Sequence, residues 1–402
     1  KITIDKEINF PNVPVAIHDN LYWNVFSLYN SVLEGCRALS DLPIASVGVD
    51  TWGATFALIN RAGQRAEPVF HYRDLRTKNA LSDMHEICSA REIFRMTGCQ
   101  PTRNYSLPQL FVMAQRGEEI LKTAKSVLFL PDLFSYFMSG AMSSEISFAG
   151  TTALLNDRLD GWCEPLLKRL GIPTGLFTNL VRAGSIKGGL VATVREQTGL
   201  GADTKVVATC SHDTAAATCA IPGFGDGSVY VGSGTNINMG IECDFIGLSD
   251  AYFDGGFKNT GGMCGKNLIY RDFPAFWFLN GLKADWARRG VRYSFEQMTQ
   301  MAEGVSDNRS TLDLDDESFN RLDGDMAERM NAYFDRTGQV RPADDAGYLR
   351  CVFESIALKT AHTVRSLSAA ASKPFREICI INGGSRNALL NQLIADSANL
   401  PV

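Results

Sequence analysis

Lys205 to Ala217, KVVATCSHDTAAA, opens as a β-branched apolar run and closes as a chain of small helix formers, with His212 and Asp213 at the junction. An apolar run followed by small residues reads as a buried strand feeding a helix. A carboxylate at that junction stands at the carboxyl edge of a sheet, where α/β proteins place their ligands. Thr214 then starts the helix, whose first N–H groups favour anions. Asp213 is therefore the centre of the expected chemistry, and the rest of the chain is read for what it places around it.

The chain has 402 residues, room for two or three domains at about 150 residues each. With 45% hydrophobic and 21% charged residues it has the composition of a soluble globular protein. Lys and Arg number 39 against 44 Asp and Glu, a formal net charge of −5. A nucleic-acid face needs clustered cations, and the densest stretch, Arg288–Arg289 with Arg292, is short, so no nucleic-acid partner is expected. The ten cysteines are scattered and no two are spaced as a zinc or redox motif. Cys210 and Cys379 lie inside apolar runs, which suits reduced core thiols in a cytoplasmic protein. No apolar run reaches the length of a membrane span, the start does not read as a signal peptide, and no membrane partner is expected. Lys1 begins abruptly on an alternating stretch, KITIDKEINF, which reads as a half-buried strand met in mid-sheet and hence as the start of a fragment.

Further along, Leu21 to Ala38 has helical spacing, and Ile44 to Val49 reads as a strand. Asp50–Thr51–Trp52–Gly53 then forms a polar elbow before a second strand, Thr55 to Ile59, and a turn, Asn60 to Gly63. His71 to Thr77, HYRDLRT, gathers donors, acceptors and an aromatic in one loop, read as ligand-facing, with a surface Arg–Asp pair as the plainer alternative. A helix is expected from about Asn79 to Arg95. The Gly/Pro-dense link from Ile221 to Gly227 is the expected domain boundary, dividing the chain into 1–222 and 223–402. Beyond it come a hairpin turning at Gly232–Ser233–Gly234–Thr235, helices over Phe273 to Arg289 and Phe295 to Glu303, and a solvated acidic loop, Asp313 to Glu317. A long helix follows from Ala346 to Ala370, then a buried strand, Glu377 to Ile381. Gly383–Gly384–Ser385 opens the last helix.

Ser211, His212 and Asp213 do not make a hydrolase triad, because consecutive side chains diverge where a triad must converge, and no Gly-x-Ser-x-Gly elbow is present. A carboxylate here can instead take a proton from a substrate hydroxyl, with His212 and Thr214 bonding other hydroxyls of a sugar. Asp before a helix is also a preferred cap, and this stretch alone leaves base and cap equally open. Two glycine loops, Gly232–Thr235 and Gly383–Ser385, favour the first reading. Both let backbone N–H groups approach an anion closely. Neither is a Walker A loop. Two such loops together with a candidate base form a phosphoryl-transfer layout, with nucleotide on one side and a hydroxylated substrate on the other.

DTWG, YRDLRT, PDLFSY, SHDTAAA, VYVGSGT and INGGSRNALLNQ occur in the order found in the FGGY family of carbohydrate kinases, which this chain resembles over almost its whole length. Within the family the resemblance is to the rhamnulokinases. It implies an α/β, two-domain, actin-like and ribonuclease H-like ATPase fold with ATP and sugar meeting in an interdomain cleft, here truncated at both ends. It also implies Mg²⁺ carried in on ATP, and phosphorylation of a ketose, first of all L-rhamnulose, with L-fuculose or a pentulose as the rival. A sugar-binding relative that no longer catalyses is the alternative from another class. Carried over by position, Asp213 matches the proton acceptor. Gly53, His212 and Thr214 match sugar-contacting positions, and Thr235 and Gly383 match ATP-contacting ones. Asp272 stands where relatives carry an Asn that contacts sugar, and Asn280 where they carry a Gln near ATP. Thr55 replaces the usual Asp. The hairpin with the family's Asp-x-Gly phosphate loop and the C-terminal strands and helices are not found in the sequence.

Overall fold

The computed structural model describes residues 4, 6–65, 68–320 and 325–402. The fold is mixed α/β and resolves into two compact units. One runs to Cys219 and includes Asp244–Leu248 and Lys258–Leu268; the other comprises Ala220–Cys243, Ser249–Phe257 and Ile269–Val402. The two short segments that join the first unit are marked by no change in composition.

In the first unit, Ser46–Gly48 lies parallel to Lys205–Val207, and Ile186–Gly189 pairs antiparallel on the other side. Phe56–Ile59 pairs antiparallel with Ser126–Phe129, and all eight residues are buried. Their unbroken apolar runs, FALI and SVLF, lack the alternation of a half-exposed strand because both faces are covered. The core on one side gathers Leu110, Phe129, Phe148 and Leu166. A second cluster, with Trp23, Leu128 and Leu133, lies on the other.

Local chemistry explains where the segments stop. Val25–Arg37 is a helix capped by Asn24, whose side chain accepts the Ser27 N–H. The residues before it, Asn20–Trp23, form a strand instead of the first helical turn expected from Leu21. The single helix expected over 79–95 is two, Ala80–Ile87 and Ala90–Thr97. Ser89 and Glu92 form a reciprocal capping box that restarts the helix, a device worth about 1 kcal/mol. The expected N-terminal strand is not found: the described residues of 1–10 are exposed and unpaired, with Ile4 81% exposed. Residues 1–3 and 5 of that reading lie outside the described residues. Alternation makes a strand only where a neighbour satisfies its backbone.

In the second unit, the strands Asn267–Pro274, Asn236–Cys243, Ser228–Ser233 and Glu377–Ile381 lie side by side in that order. Ser228–Ser233 pairs antiparallel with Asn236–Cys243 and parallel with Glu377–Ile381, Gly232 opposite Ile381. The helix expected to begin at Phe273 begins at Phe276, since residues through Pro274 are still strand. Only Ile378 of the final strand is buried, not the whole strand. The acidic loop exposes Asp313, Asp315 and Glu317 as expected, while Leu314 is buried, Lys359 Nζ lies 2.5 Å from Asp315, and Arg336 pairs with Asp316 at 2.7 Å. The helix Asp345–Ala371 buries Leu349, Val352, Phe353, Ile356 and Leu367 and packs on Ala388–Ala398.

The strands Asn236–Cys243 and Asn267–Pro274 approach so closely at Gly240 that a Cβ there would lie 2.0 Å from the Ile269 carbonyl oxygen and 2.7 Å from Tyr270 Cα. Backbone cannot rotate away as a side chain can. Gly240→Ala is therefore expected to cost roughly 1–3 kcal/mol, read as a lowered urea midpoint; an unchanged midpoint would contradict the close approach.

Candidate active site

The parallel pairing of Ser46–Gly48 with Lys205–Val207 continues in irregular form past both strands. Thr51 N–H donates to the Ser211 carbonyl and Asp213 N–H donates to the Thr51 carbonyl, each at 3.0 Å, with Thr51 opposite His212. This lays the DTWG elbow alongside Ser211–His212–Asp213, although some 160 residues of chain separate them. A Cβ on Gly53 would lie 3.1 Å from His212 Nε2, 3.3 Å from its Cδ2 and 3.5 Å from Thr151 Oγ1. Gly53, His212, Asp213 and Thr214 are thus brought together, with Thr151 added to them.

The helix Asp213–Thr218 starts one residue earlier than expected, at Asp213, with His212 as its N-cap and no side-chain cap bond. Asp213 is therefore not the capping residue, although its Oδ1 accepts the Thr214 N–H at 2.6 Å and the Thr214 hydroxyl at 3.2 Å. Oδ2 makes no hydrogen bond among the described residues. The Asp213 side chain is 53% exposed, whereas that of His212 is 13% exposed, with Nε2 3.6 Å from Asp213 Oδ1. The imidazole edge meets the ring of Phe148 at 6.3 Å. Asp50, still open to solvent on one side, joins this group. Its carboxyl is pushed up, first by partial burial and then by the Asp213 charge, against the opposing pull of its own backbone N–H and of His212.

The HYRDLRT loop is tied inward, not through a surface Arg–Asp pair. Asp74 is buried and accepts the Leu21 and Arg76 N–H groups at 2.7 and 2.9 Å. His71 stacks on Trp23 at 4.1 Å, and Trp23 meets Trp52 of the DTWG elbow at 4.3 Å. Trp52 Nε1 donates to the buried Thr55 hydroxyl at 2.9 Å. A surface cavity of about 560 Å³, lined in part by Arg61, Lys125, Tyr136 and Phe177, contains none of these residues.

In the second unit, the parallel register of Ser228–Ser233 with Glu377–Ile381 brings two glycine loops to one end of the sheet. The Thr235 carbonyl accepts the N–H groups of Ala275 and Trp277 at 3.1 and 3.0 Å, which clamps the hairpin turn to the start of the helix Phe276–Arg288. Asn280 is exposed on that helix. A Cβ on Gly384 would fall 2.0 Å from Ser233 Oγ and 3.3 Å from Phe276 Cζ, while one on Gly383 would meet nothing within 4 Å. Gly383 is therefore open on the side where Gly384 is closed. Ser233 Oγ is buried and has no hydrogen-bond partner among the described residues. Open backbone and an orphaned hydroxyl beside a helix start suit the phosphates of a nucleotide. Thr235, Asn280 and Gly383 thus lie on elements that converge. Asp272, on Asn267–Pro274, accepts from Asn238 Nδ2 at 2.5 Å, and Asn238 in turn accepts the hydroxyl of the buried Tyr230 at 2.8 Å.

Sequence models of the FGGY family of carbohydrate kinases match the chain twice, the N-terminal domain over residues 10–220 and the C-terminal domain over 230–402. The chain belongs to the FGGY family of carbohydrate kinases. It is 32% identical over 400 residues to a rhamnulokinase of Bacteroides thetaiotaomicron, covering 99% of this chain and 81% of the relative. It is 31% identical to a rhamnulokinase of Klebsiella pneumoniae, covering 94% and 76%. Among solved structures, a xylulose kinase from Rhodospirillum rubrum superposes with a TM-score of 0.80 at 15% identity over 97% of this chain and 79% of its own. A glycerol kinase of Plasmodium falciparum with ADP superposes at 0.78 and 14% identity, over 99% and 81%. This carbohydrate kinase accordingly has the two-domain actin-like ATPase fold, and family membership implies ATP as co-substrate and a sugar as acceptor. No helix among the described residues is long and apolar enough to cross a membrane, and no two cysteines are joined by a disulfide.

Of this group, Asp50 was not singled out as a site residue in the sequence, and its titration is measurable. Its folded pKa lies above its unfolded value, so the fold favours the protonated form and loses stability as pH rises through that folded pKa. Asp50→Asn is expected to raise Tm near pH 7 and to match the parent at acidic pH, where Asp50 is protonated in both states. A mutant less stable than the parent at pH 7 would refute the upward shift that burial, and secondarily Asp213, gives Asp50.

Proposed function

We propose that this kinase transfers the γ-phosphoryl group of ATP to the primary hydroxyl of L-rhamnulose, giving L-rhamnulose 1-phosphate. The observation that carries the chemistry is the grouping of Gly53, His212 and Asp213, with one carboxylate oxygen of Asp213 unbonded and half its side chain open. The sugar is taken from relatives named rhamnulokinase that span nearly the whole chain.

Asp213 acts as general base: Oδ2 takes the proton of the attacking hydroxyl as the new O–P bond forms, and the bond from the γ-phosphorus to the bridging oxygen breaks to release ADP. His212 and Thr214 bond neighbouring sugar hydroxyls, and Gly53, lacking a side chain, leaves room beside the imidazole. Asp272 offers an acceptor to the sugar where relatives offer an amide. Thr235, Asn280 and Gly383 hold the nucleotide. In this reading residues 1–222 serve the sugar, joined by Asp272, and the rest of 223–402 serves the ATP. Mg²⁺ enters with ATP, because this hard cation is held chiefly by phosphate oxygens and its own waters. Among the described residues no group of three or more His, Cys, Asp or Glu side chains is placed to hold it alone. The proposed location is the cytoplasm, where ATP is supplied and cysteines are kept from forming disulfides.

The discriminating measurement is kcat/KM across L-rhamnulose, L-fuculose and pentuloses with ATP and Mg²⁺. L-Rhamnulose is expected to lead; a higher value for another ketose would reassign the substrate, and sugar binding without turnover would overturn the kinase reading. Asp213→Asn is expected to lower kcat by at least about 10²- to 10⁴-fold while sugar binding, followed by calorimetry, is largely kept. Parent-like kcat in that variant would remove Asp213 from the chemistry.

A further inference from the structure

Behind the Asp213 turn lies a carboxylate that the proposed mechanism does not use. Glu145 is 1% exposed and ends the short strand Ser144–Glu145. It is the N-cap of the helix Ile146–Gly150, with Oε2 accepting the Phe148 N–H at 3.2 Å. Capping is ordinarily served by the shorter Ser, Thr, Asp or Asn. The extra reach of Glu has a visible consequence: the same Oε2 accepts the Ser147 hydroxyl at 2.5 Å and, from 66 residues away, the Ser211 N–H at 3.0 Å. Ser147 Oγ then accepts the His212 N–H at 3.3 Å.

The main chain of the turn is thereby held on every side. Ser211 N–H is held by Glu145, His212 N–H by Ser147, and Ser211 O and Asp213 N–H by Thr51, while His212 O accepts Ala216 N–H at 2.9 Å. The side chains of His212 and Asp213 are left to face a ligand. Such an arrangement is unfavourable in isolation. Burial pushes the Glu145 carboxyl up and the nearby Asp132 charge adds to this, against the bonds from Ser147 and Ser211. Asp132 is itself fully buried, paired with the buried Lys187 at 2.5 Å, and accepts the Glu145 N–H at 3.3 Å. An uncharged cap would avoid the desolvation of a buried carboxylate, so capping alone does not account for Glu145.

We infer that Glu145 is a positioning residue for phosphoryl transfer: through Ser211 directly, and through Ser147 to His212, it fixes the backbone that aims Asp213 at the substrate. The inference rests on the reading of Asp213 as base, and the test separates the two. In the full-length protein, Glu145→Ala is expected to lower kcat on the order of 10²-fold, the penalty of a misplaced catalytic group, with KM for ATP within about twofold of the parent. Glu145→Gln keeps an acceptor oxygen and is expected to retain kcat within about fivefold. Ser147→Ala, which removes only the His212 acceptor, should fall between them and serves where Glu145→Ala folds poorly. Independently of turnover, hydrogen exchange of the peptide spanning 205–218 should quicken in Glu145→Ala and Ser147→Ala but not in Glu145→Gln. Parent-like exchange there, or a loss of Tm with kcat per folded enzyme unchanged, overturns the positioning role. If exchange quickens while Asp213→Asn keeps parent-like kcat, the backbone is held as inferred and the base assignment is what fails.

Discussion

Two hydrogen bonds to the peptide of Thr51, one given and one received, are the constraint on which the first unit's site depends. They extend a parallel pairing beyond its regular strands and join two polar segments that the chain separates by some 160 residues. Parallel neighbours end at the same edge of a sheet, so the residues that follow both strands meet there as a matter of topology. Gly53 is the steric counterpart of that pairing: with a Cβ at 3.1 Å from the imidazole, the elbow or His212 would have to yield.

The second unit solves an analogous problem without charge. Ser228–Ser233 and Glu377–Ile381 are parallel and in register, so the glycine loops after each strand come side by side. Close approach there demands that Gly384 carry no side chain, because Ser233 Oγ occupies the position a Cβ would take. The neighbouring Gly383 has open space where Gly384 has none. One glycine therefore makes room for the Ser233 side chain, and the other borders open space. Sequence patterns treat the two as one motif, although the physical reasons for them differ.

What could be read in advance follows the range of the interaction. Buried strands announced themselves as unbroken apolar runs, and SHDT stood out because polar residues follow such a run directly. The break at Ser89 was hidden because apolar spacing continues across it from Met84 to Phe94, although its Ser-x-x-Glu box was in plain view. The alternation of residues 1–10 reads as a strand, but pattern alone does not report a partner, and the described residues 4 and 6–10 form no strand. Segments 244–248 and 258–268 gave no sign of joining the first unit. Glu145 was the least visible of all: a glutamate after two serines is by default a surface residue, and only folding brings Ser211 to it. The assignments of Asp272 and Asn280 came from family likeness, since no spacing along the chain marks them.

Of the cap and base readings of Asp213, alternatives while only the sequence is considered, the cap falls to His212, and the two oxygens of Asp213 are placed differently. Oδ1 is engaged by the N–H and hydroxyl of Thr214, which fixes the rotamer. Oδ2 is left to a ligand. A free surface carboxylate would have to surrender side-chain entropy to reach an attacking hydroxyl, whereas one held by its first oxygen presents the second in a set direction. Moving the helix start from Thr214 to Asp213 is what permits this, because an N-cap side chain folds back over the first turn while a first-turn residue projects past it. The same bond that a capping analysis would count as stabilising the helix is thus, in the proposed reaction, the bond that orients the base.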